Sequence, residues 1–112
     1  MTSTAWTYAM PEDRIQEFRD LISDLMKDLS GLAARADAVG YNRERMWLQH
    51  NEDGSAEFIV YLEFDDGVDM TTFAQRLSAY ESEFTKWWRP RYESFGRPKS
   101  FGEPLLSWDK GA

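Results

Sequence analysis

The chain has no cysteine in its 112 residues. That absence excludes a disulfide framework, thiolate catalysis and thiolate metal sites, and it suits the cytoplasm, which is the expected location. Histidine occurs once, as His50. A metal site would therefore rest almost wholly on carboxylates. The run Glu63, Asp65, Asp66 and Asp69 lacks the ordered spacing and trailing Glu of a calcium loop, and reads as the end of a strand and a helix cap. No metal and no cofactor are expected. Positive charge is also scarce. Thirteen Lys and Arg stand against 20 Asp and Glu, a formal net charge of −7. Such a surface repels phosphate backbones and disfavours nucleic acid, although Arg89, Arg91, Arg97 and Lys99 do alternate with Trp87, Trp88, Tyr92 and Phe95. No apolar run approaches the roughly 20 residues that span a bilayer. The stretch MTSTAWTYAM has neither the basic region nor the continuous apolar core of a signal peptide. There is no Gly-rich phosphate loop, no nucleophile elbow, no repeat and no flexible linker, so residues 1–112 read as one domain.

Aromatics are abundant: five Trp, five Tyr and seven Phe, 15% of the chain. This is an ordered globular composition, and the most telling stretch is RERMWLQHNEDGSAEFIVYLEF, residues 43–64. It reads as two strands, near 41–50 and 55–64, around an Asn51-Glu52-Asp53-Gly54 turn of four or five residues. Phe58, Val60, Leu62 and Phe64 fall on one face of the second strand. Ile59 and Tyr61 fall on the other, between Glu57 and Glu63. A strand with one wet face alternates apolar and polar residues; this one is apolar on both sides, so something must cover the second.

Around this hairpin the periodicity predicts four further elements. Residues 4–10 alternate as a first strand. Pro11, Glu12 and Asp13 open a helix whose stripe, Ile15, Phe18, Leu21, Ile22, Leu25, Met26, Leu29 and Leu32, continues as one long element. Gly31 bends its last turns and Gly40 stops it. Asp69 caps a second helix carrying Met70, Phe73, Leu77 and Tyr80. It is followed by a stretch with Phe84, Trp87 and Trp88 that Pro90 kinks or restarts. Leu105–Trp108 is a short last strand. The order is the βαββαβ of a ferredoxin-like α+β fold: a four-stranded antiparallel sheet with both helices on one face. The uncovered face then calls for a second copy, packed sheet to sheet.

On this topology, and on Met10-Pro11-Glu12, Arg45-Met46-Trp47-Leu48-Gln49 and Tyr61-Leu62-Glu63-Phe64-Asp65-Asp66, the chain resembles the dimeric α+β barrel superfamily. That superfamily includes small antibiotic-biosynthesis monooxygenases, stress-responsive barrel proteins and polyketide cyclases. The resemblance is closest to an uncharacterised family of small proteins within it. It implies a homodimeric barrel. Related cyclases and oxygenases often use a His with a Tyr, and some relatives bind haem, for which His50 would be the axial ligand.

The candidate site residues follow from parity. If Arg45, Trp47 and Gln49 face the same way as Ile59, Tyr61 and Glu63, they form an aromatic-walled pocket with a few polar groups. The register decides this, because a slip of one residue reverses every side chain. Tyr61, Glu63, His50 and Arg45 are then the catalytic candidates. Trp47, Gln49, Ile59 and Trp88 are the ligand-binding candidates. The plainer readings are a solvent-facing His50 beside the turn and a structural Arg45–Glu63 pair. The expected function is binding of a hydrophobic or aromatic small molecule, as in a cofactor-free cyclase or monooxygenase of secondary metabolism. The alternative is a non-enzymatic stress or scaffold dimer with a packed interior.

Overall fold

The structure is a computed structural model that describes residues 2–98 and 100–111. Three strands form one antiparallel sheet: β1 (Thr2–Met10), β2 (Tyr41–His50) and β3 (Ala56–Phe64), in the order β1-β3-β2. Four helices complete the α+β fold: α1 (Ile15–Met26), α2 (Ser30–Val39), α3 (Phe73–Ala79) and α4 (Glu83–Glu93).

β3 is central because it is apolar enough to be flanked on both edges. Phe58, Val60, Leu62 and Phe64 are at most 1% exposed. They face the helices together with Trp6, Tyr8 and Met10 of β1, and meet Phe18, Leu21 and Leu25 of α1, Phe73 of α3 and Trp88 of α4 in one core. The hairpin loop has five residues, since His50 pairs with Ala56. The Asn51 N–H donates to the Ser55 carbonyl at 2.9 Å, and the Asp53 carboxylate accepts from the Ser55 N–H and hydroxyl.

This register brings Arg43, Arg45, Trp47 and Gln49 of β2 opposite Glu63, Tyr61, Ile59 and Glu57 of β3, with Ser3, Ala5, Thr7 and Ala9 of β1 on the far side. Apart from Glu63, this second face is half-buried or exposed throughout. It is the face on which the sequence places Ile59 and Tyr61.

The helices differ from the periodic reading in three places. The long first helix is two helices. Its stripe breaks at Lys27–Leu29, where the Asp28 carboxylate accepts from the Ser30 N–H at 3.0 Å and starts α2 afresh. Gly31 does not bend anything; a Cβ there would lie 2.5 Å from Cβ of Phe84, so α2 and α4 touch at this residue. Pro90 does not break α4, which runs through it to Glu93. The stop at Gly40 holds, ending α2 with φ of +101°. Ser82, not singled out by sequence reasoning, caps α4, accepting from the Thr85 N–H at 3.1 Å. The expected cap at Asp69 does not form: Thr72 precedes α3 with no capping side-chain bond, and Asp69 instead accepts from the Thr71 N–H at 2.9 Å in the turn ahead of the helix, where Met70 also lies.

Leu105–Trp108, expected as the last strand, forms no strand and is exposed. The chain instead passes along β1 earlier. Gly96 packs on Tyr8, the Gly102 N–H donates to the Ala5 carbonyl at 2.5 Å, and the Thr4 hydroxyl donates to the Gly102 carbonyl at 3.3 Å. Pro104 then lines a hollow beside Thr2 and Thr4. Gly96, Gly102 and Pro104 thus meet β1 at Tyr8, Ala5 and Thr2 in turn, the antiparallel sense. Pro98 and Pro104 lack the N–H donors that a regular ladder needs. Leu105 lies past the end of β1, where no strand remains to pair with.

Candidate functional site

Between the sheet and α2, α3 and α4 lies a cavity of about 130 Å³. Trp6, Tyr41, Trp88 and Tyr92 wall it with rings, Met46, Leu62 and Leu77 add aliphatic surface, and Arg35 and Glu44 bring charge into it. Trp88 stacks on Tyr92 at 5.1 Å, and the Trp6 indole N–H donates to the Tyr92 hydroxyl at 3.0 Å. Apolar walls with a few convergent polar groups are the common composition of a small-molecule site. A larger hollow of about 650 Å³ runs beside β1, but strand, glycine and loop residues line it and no charged pair converges there.

Ser78, Thr85, Arg89 and Glu93 of α3 and α4 also line the cavity, and its buried charged cluster comes from three successive pieces of chain. Arg35 sits on α2, Tyr41 opens β2, and Glu44 follows on the same strand. A bulge between Tyr41 and Arg43 inserts Asn42 and shifts the register. Tyr41 and Glu44, three residues apart, therefore share the core face, which strict alternation would forbid. The Arg35 guanidinium donates to the Tyr41 hydroxyl at 3.1 Å and to both Glu44 oxygens at 3.2 and 3.3 Å. The Tyr41 hydroxyl donates to Glu44 at 2.9 Å.

The Arg35 and Glu44 side chains are only 12% and 7% exposed. Burial opposes the Arg35 charge, but Glu44 and Tyr41 more than offset it, and the guanidinium holds its proton above the ordinary range. Burial, reinforced by the Glu44 charge, pushes the Tyr41 hydroxyl well above the usual tyrosine range. Tyr92 is raised as well, mainly by burial. The arrangement is a closed triangle of hydrogen bonds in which Tyr41 bridges a fixed cation and a fixed anion.

The residues proposed from sequence lie elsewhere and do not form one cluster. Arg45, Trp47, Gln49, Ile59, Tyr61 and Glu63 share the open sheet face. There the Tyr61 hydroxyl donates to Glu63 at 3.0 Å, and Tyr61 is raised by partial burial and by that bond. Glu63 is approached by Arg43 at 4.0 Å rather than by Arg45, which stands opposite Tyr61. His50 pairs with Ala56 and so lies on the opposite side of β2 from Arg45 and Trp47, away from Tyr61. Its ring is exposed, 3.4 Å from the Arg19 guanidinium. A joint role for His50 and Tyr61 is thus separated by the sheet itself. Trp88 is buried at the cavity, not beside Trp47. Trp87, its neighbour, is half-buried with the Arg91 guanidinium 5.3 Å from its ring.

Arg35, Tyr41, Glu44, Trp6 and Tyr92 were not singled out by sequence reasoning. One signal was available: Glu44 has the parity of Met46 and Leu48, a charge among inward positions. The arginines of the basic, aromatic-rich segment are engaged locally. Arg89 donates to the Ser78 and Tyr80 carbonyls, Arg91 to the Trp87 carbonyl and Arg97 to Glu93. Lys99 lies outside the described residues. Among the described residues no three His, Cys, Asp or Glu converge as a metal site, and no helix is long and apolar enough to cross a membrane. The chain matches no protein-family model and no curated protein.

Proposed function

We propose that this chain is a homodimeric α+β barrel protein that binds a small aromatic molecule in the cavity between its sheet and helices. The observation that carries the reading is the buried Arg35–Tyr41–Glu44 triangle against the walls of Trp6, Trp88 and Tyr92. A buried ion pair is a poor way to gain stability, because desolvation offsets its attraction. Placed at a cavity, it gives fixed donors and acceptors to a polar substituent while the rings cover an aromatic body. Glu44 is the acceptor and Tyr41 the relay for a proton transfer without a cofactor, with Arg35 stabilising negative charge that develops on an enolate or phenolate oxygen. That is the chemistry a cofactor-free cyclase or monooxygenase needs.

In the same reading the open sheet face is where two copies meet. Trp47, Ile59 and Tyr61 supply apolar contact, and Arg43, Arg45, Glu57 and Glu63 supply both signs of charge for a self-complementary surface.

Calorimetric titration with phenol, catechol and indole tests the binding site. At least one gives saturable heat with the unaltered chain, and Leu77→Trp, which fills the cavity, abolishes it. No saturable heat from any of the three, or equal binding by the filled variant, overturns the assignment.

A further inference from the structure

β2 is an edge strand, and its helix side is covered unevenly. α2 runs into it through Gly40, and Arg35 of α2 holds Tyr41 and Glu44 at that end. Toward the hairpin the cover is thinner. Met46 and Leu48 of β2 and Ile22 of α1 are half-buried there, and His50 is exposed. Between them lies a hollow of about 240 Å³, with the buried rings of Phe18 and Phe58 inside and Trp47 at its border. Among the described residues that line it, Arg19 and His50 are the charged or titratable ones, and both stand at the rim.

The Arg19 guanidinium lies 3.4 Å from Nε2 of His50, a long contact between two basic side chains. Other arginines of this acidic chain hold acids: Arg14 holds Glu17, Arg35 holds Glu44, Arg89 holds Glu81 and Arg97 holds Glu93. Arg19 has neither a carboxylate nor a carbonyl partner among the described residues. Asp20, the next residue along α1, accepts from Gln16 instead, at 2.9 Å. A guanidinium beside an imidazole offers converging N–H donors, and a carboxylate has an oxygen for each. A phosphate dianion calls for more positive charge, and no third base lines the hollow among the described residues.

We propose that this hollow binds a small organic acid, with its apolar body against Ile22, Met46 and Leu48 and its carboxylate between Arg19 and His50. The carboxylate replaces the imidazole nitrogen as acceptor of the Arg19 N–H, and His50 turns to donate to the second oxygen. Drug-sized sites measure about 300–1,000 Å³, and this hollow is smaller, so the body is a single ring or a short alkyl chain. Met46 lines both this hollow and the Arg35–Tyr41–Glu44 cavity, but the two open on different sets of polar groups. The acid site does not rest on the cavity reading.

Proton NMR reads the site directly, because His50 is the sole histidine and its ring-proton signal has no rival. Titration with phenylacetate is expected to move that signal along a saturable curve. Phenylacetamide, which keeps the ring without the charge, and acetate, which keeps the charge without the ring, are each expected to bind about tenfold or more weakly. Arg19 is exposed on α1, so Arg19→Gln keeps the far-UV circular dichroism of the unaltered protein and is expected to weaken phenylacetate about tenfold. Leu48→Trp fills the hollow and abolishes the shift. Leu77→Trp, which fills the other cavity, leaves it unchanged. No saturable shift, equal binding of the amide or of acetate, or equal binding by Arg19→Gln overturns the proposal. Loss of the shift in Leu77→Trp overturns it too, by assigning the acid to the cavity beside Arg35.

Discussion

Tyr41 shows how one hydroxyl ties the site to stability. Its proton is held by burial and by Glu44, and Tyr8 and Tyr92 are likewise raised, chiefly by burial. In the unfolded chain a tyrosine ionises near pH 10, as an order of magnitude. A raised folded value means that the native state keeps protons there which the unfolded state has released, so stability falls as pH rises past about 10 and is indifferent to these groups below it. Each such tyrosine costs up to about 1.4 kcal/mol per pH unit in that window. Tyr61, only partly buried on the open sheet face, is not used in this test. Tyr8 is the cleanest test because its buried hydroxyl, beside that of Tyr92, makes no well-formed hydrogen bond among the described residues. Tyr8→Phe is expected to leave stability at pH 7 unchanged or raise it by about 1 kcal/mol, since an unsatisfied buried group is removed. Tyr41→Phe leaves Arg35 and Glu44 short of a partner and is expected to cost about 1–3 kcal/mol at pH 7. Both variants should lose less stability than the unaltered protein between pH 8 and pH 11. Urea unfolding at the two pH values reads this directly, and equal losses in all three proteins would remove the linkage.

At the scale of elements, Gly31 fixes how closely α2 approaches α4. Intrinsic preference favours alanine over glycine inside a helix by about 1 kcal/mol. Contact argues the other way, because the added Cβ would meet Cβ and the ring of Phe84, and Phe84 stacks in turn on Trp88 at the cavity. Overpacking of this kind typically costs about 1–3 kcal/mol. Gly31→Ala is therefore expected to destabilise the chain in chemical denaturation, and a gain would mean that the two helices do not touch there. The hairpin was legible in the sequence because a period of two records both faces of β3 at once. The first helix was legible as a stripe but not as two pieces, since Ile22, Met26 and Leu29 continue the period across the break at Lys27–Leu29. The expected last strand is absent: among the described residues the sheet has three strands and none follows α4. An apolar run at Leu105–Trp108 outweighed a proline-bearing segment that the edge of β1 accepts without a ladder. The Arg35–Tyr41–Glu44 triangle was hidden by the bulge at Asn42, which no alternation rule announces.

The whole molecule is a half-covered sheet. Helices bury one face of β1 and β3 and partly cover Met46 and Leu48 of β2, and the other face presents Trp47, Ile59 and Tyr61 among paired and unpaired charges. In the dimer proposed above a second copy covers this face, and stability would then depend on concentration, because the paired state is favoured by mass action over separate unfolded chains. A tenfold rise in protein concentration is worth about 1.4 kcal/mol to the pair. Spread over the unfolding entropy of two chains of this length, that amounts to a rise of about 2–4 °C in Tm. Differential scanning calorimetry at two concentrations a hundredfold apart is therefore expected to separate the midpoints by about twice that. In Trp47→Glu the separation should shrink or vanish. A concentration-independent midpoint for the unaltered chain would leave the sheet face without its partner. It would not touch the cavity, whose Arg35, Tyr41, Glu44 and ring walls all come from one chain.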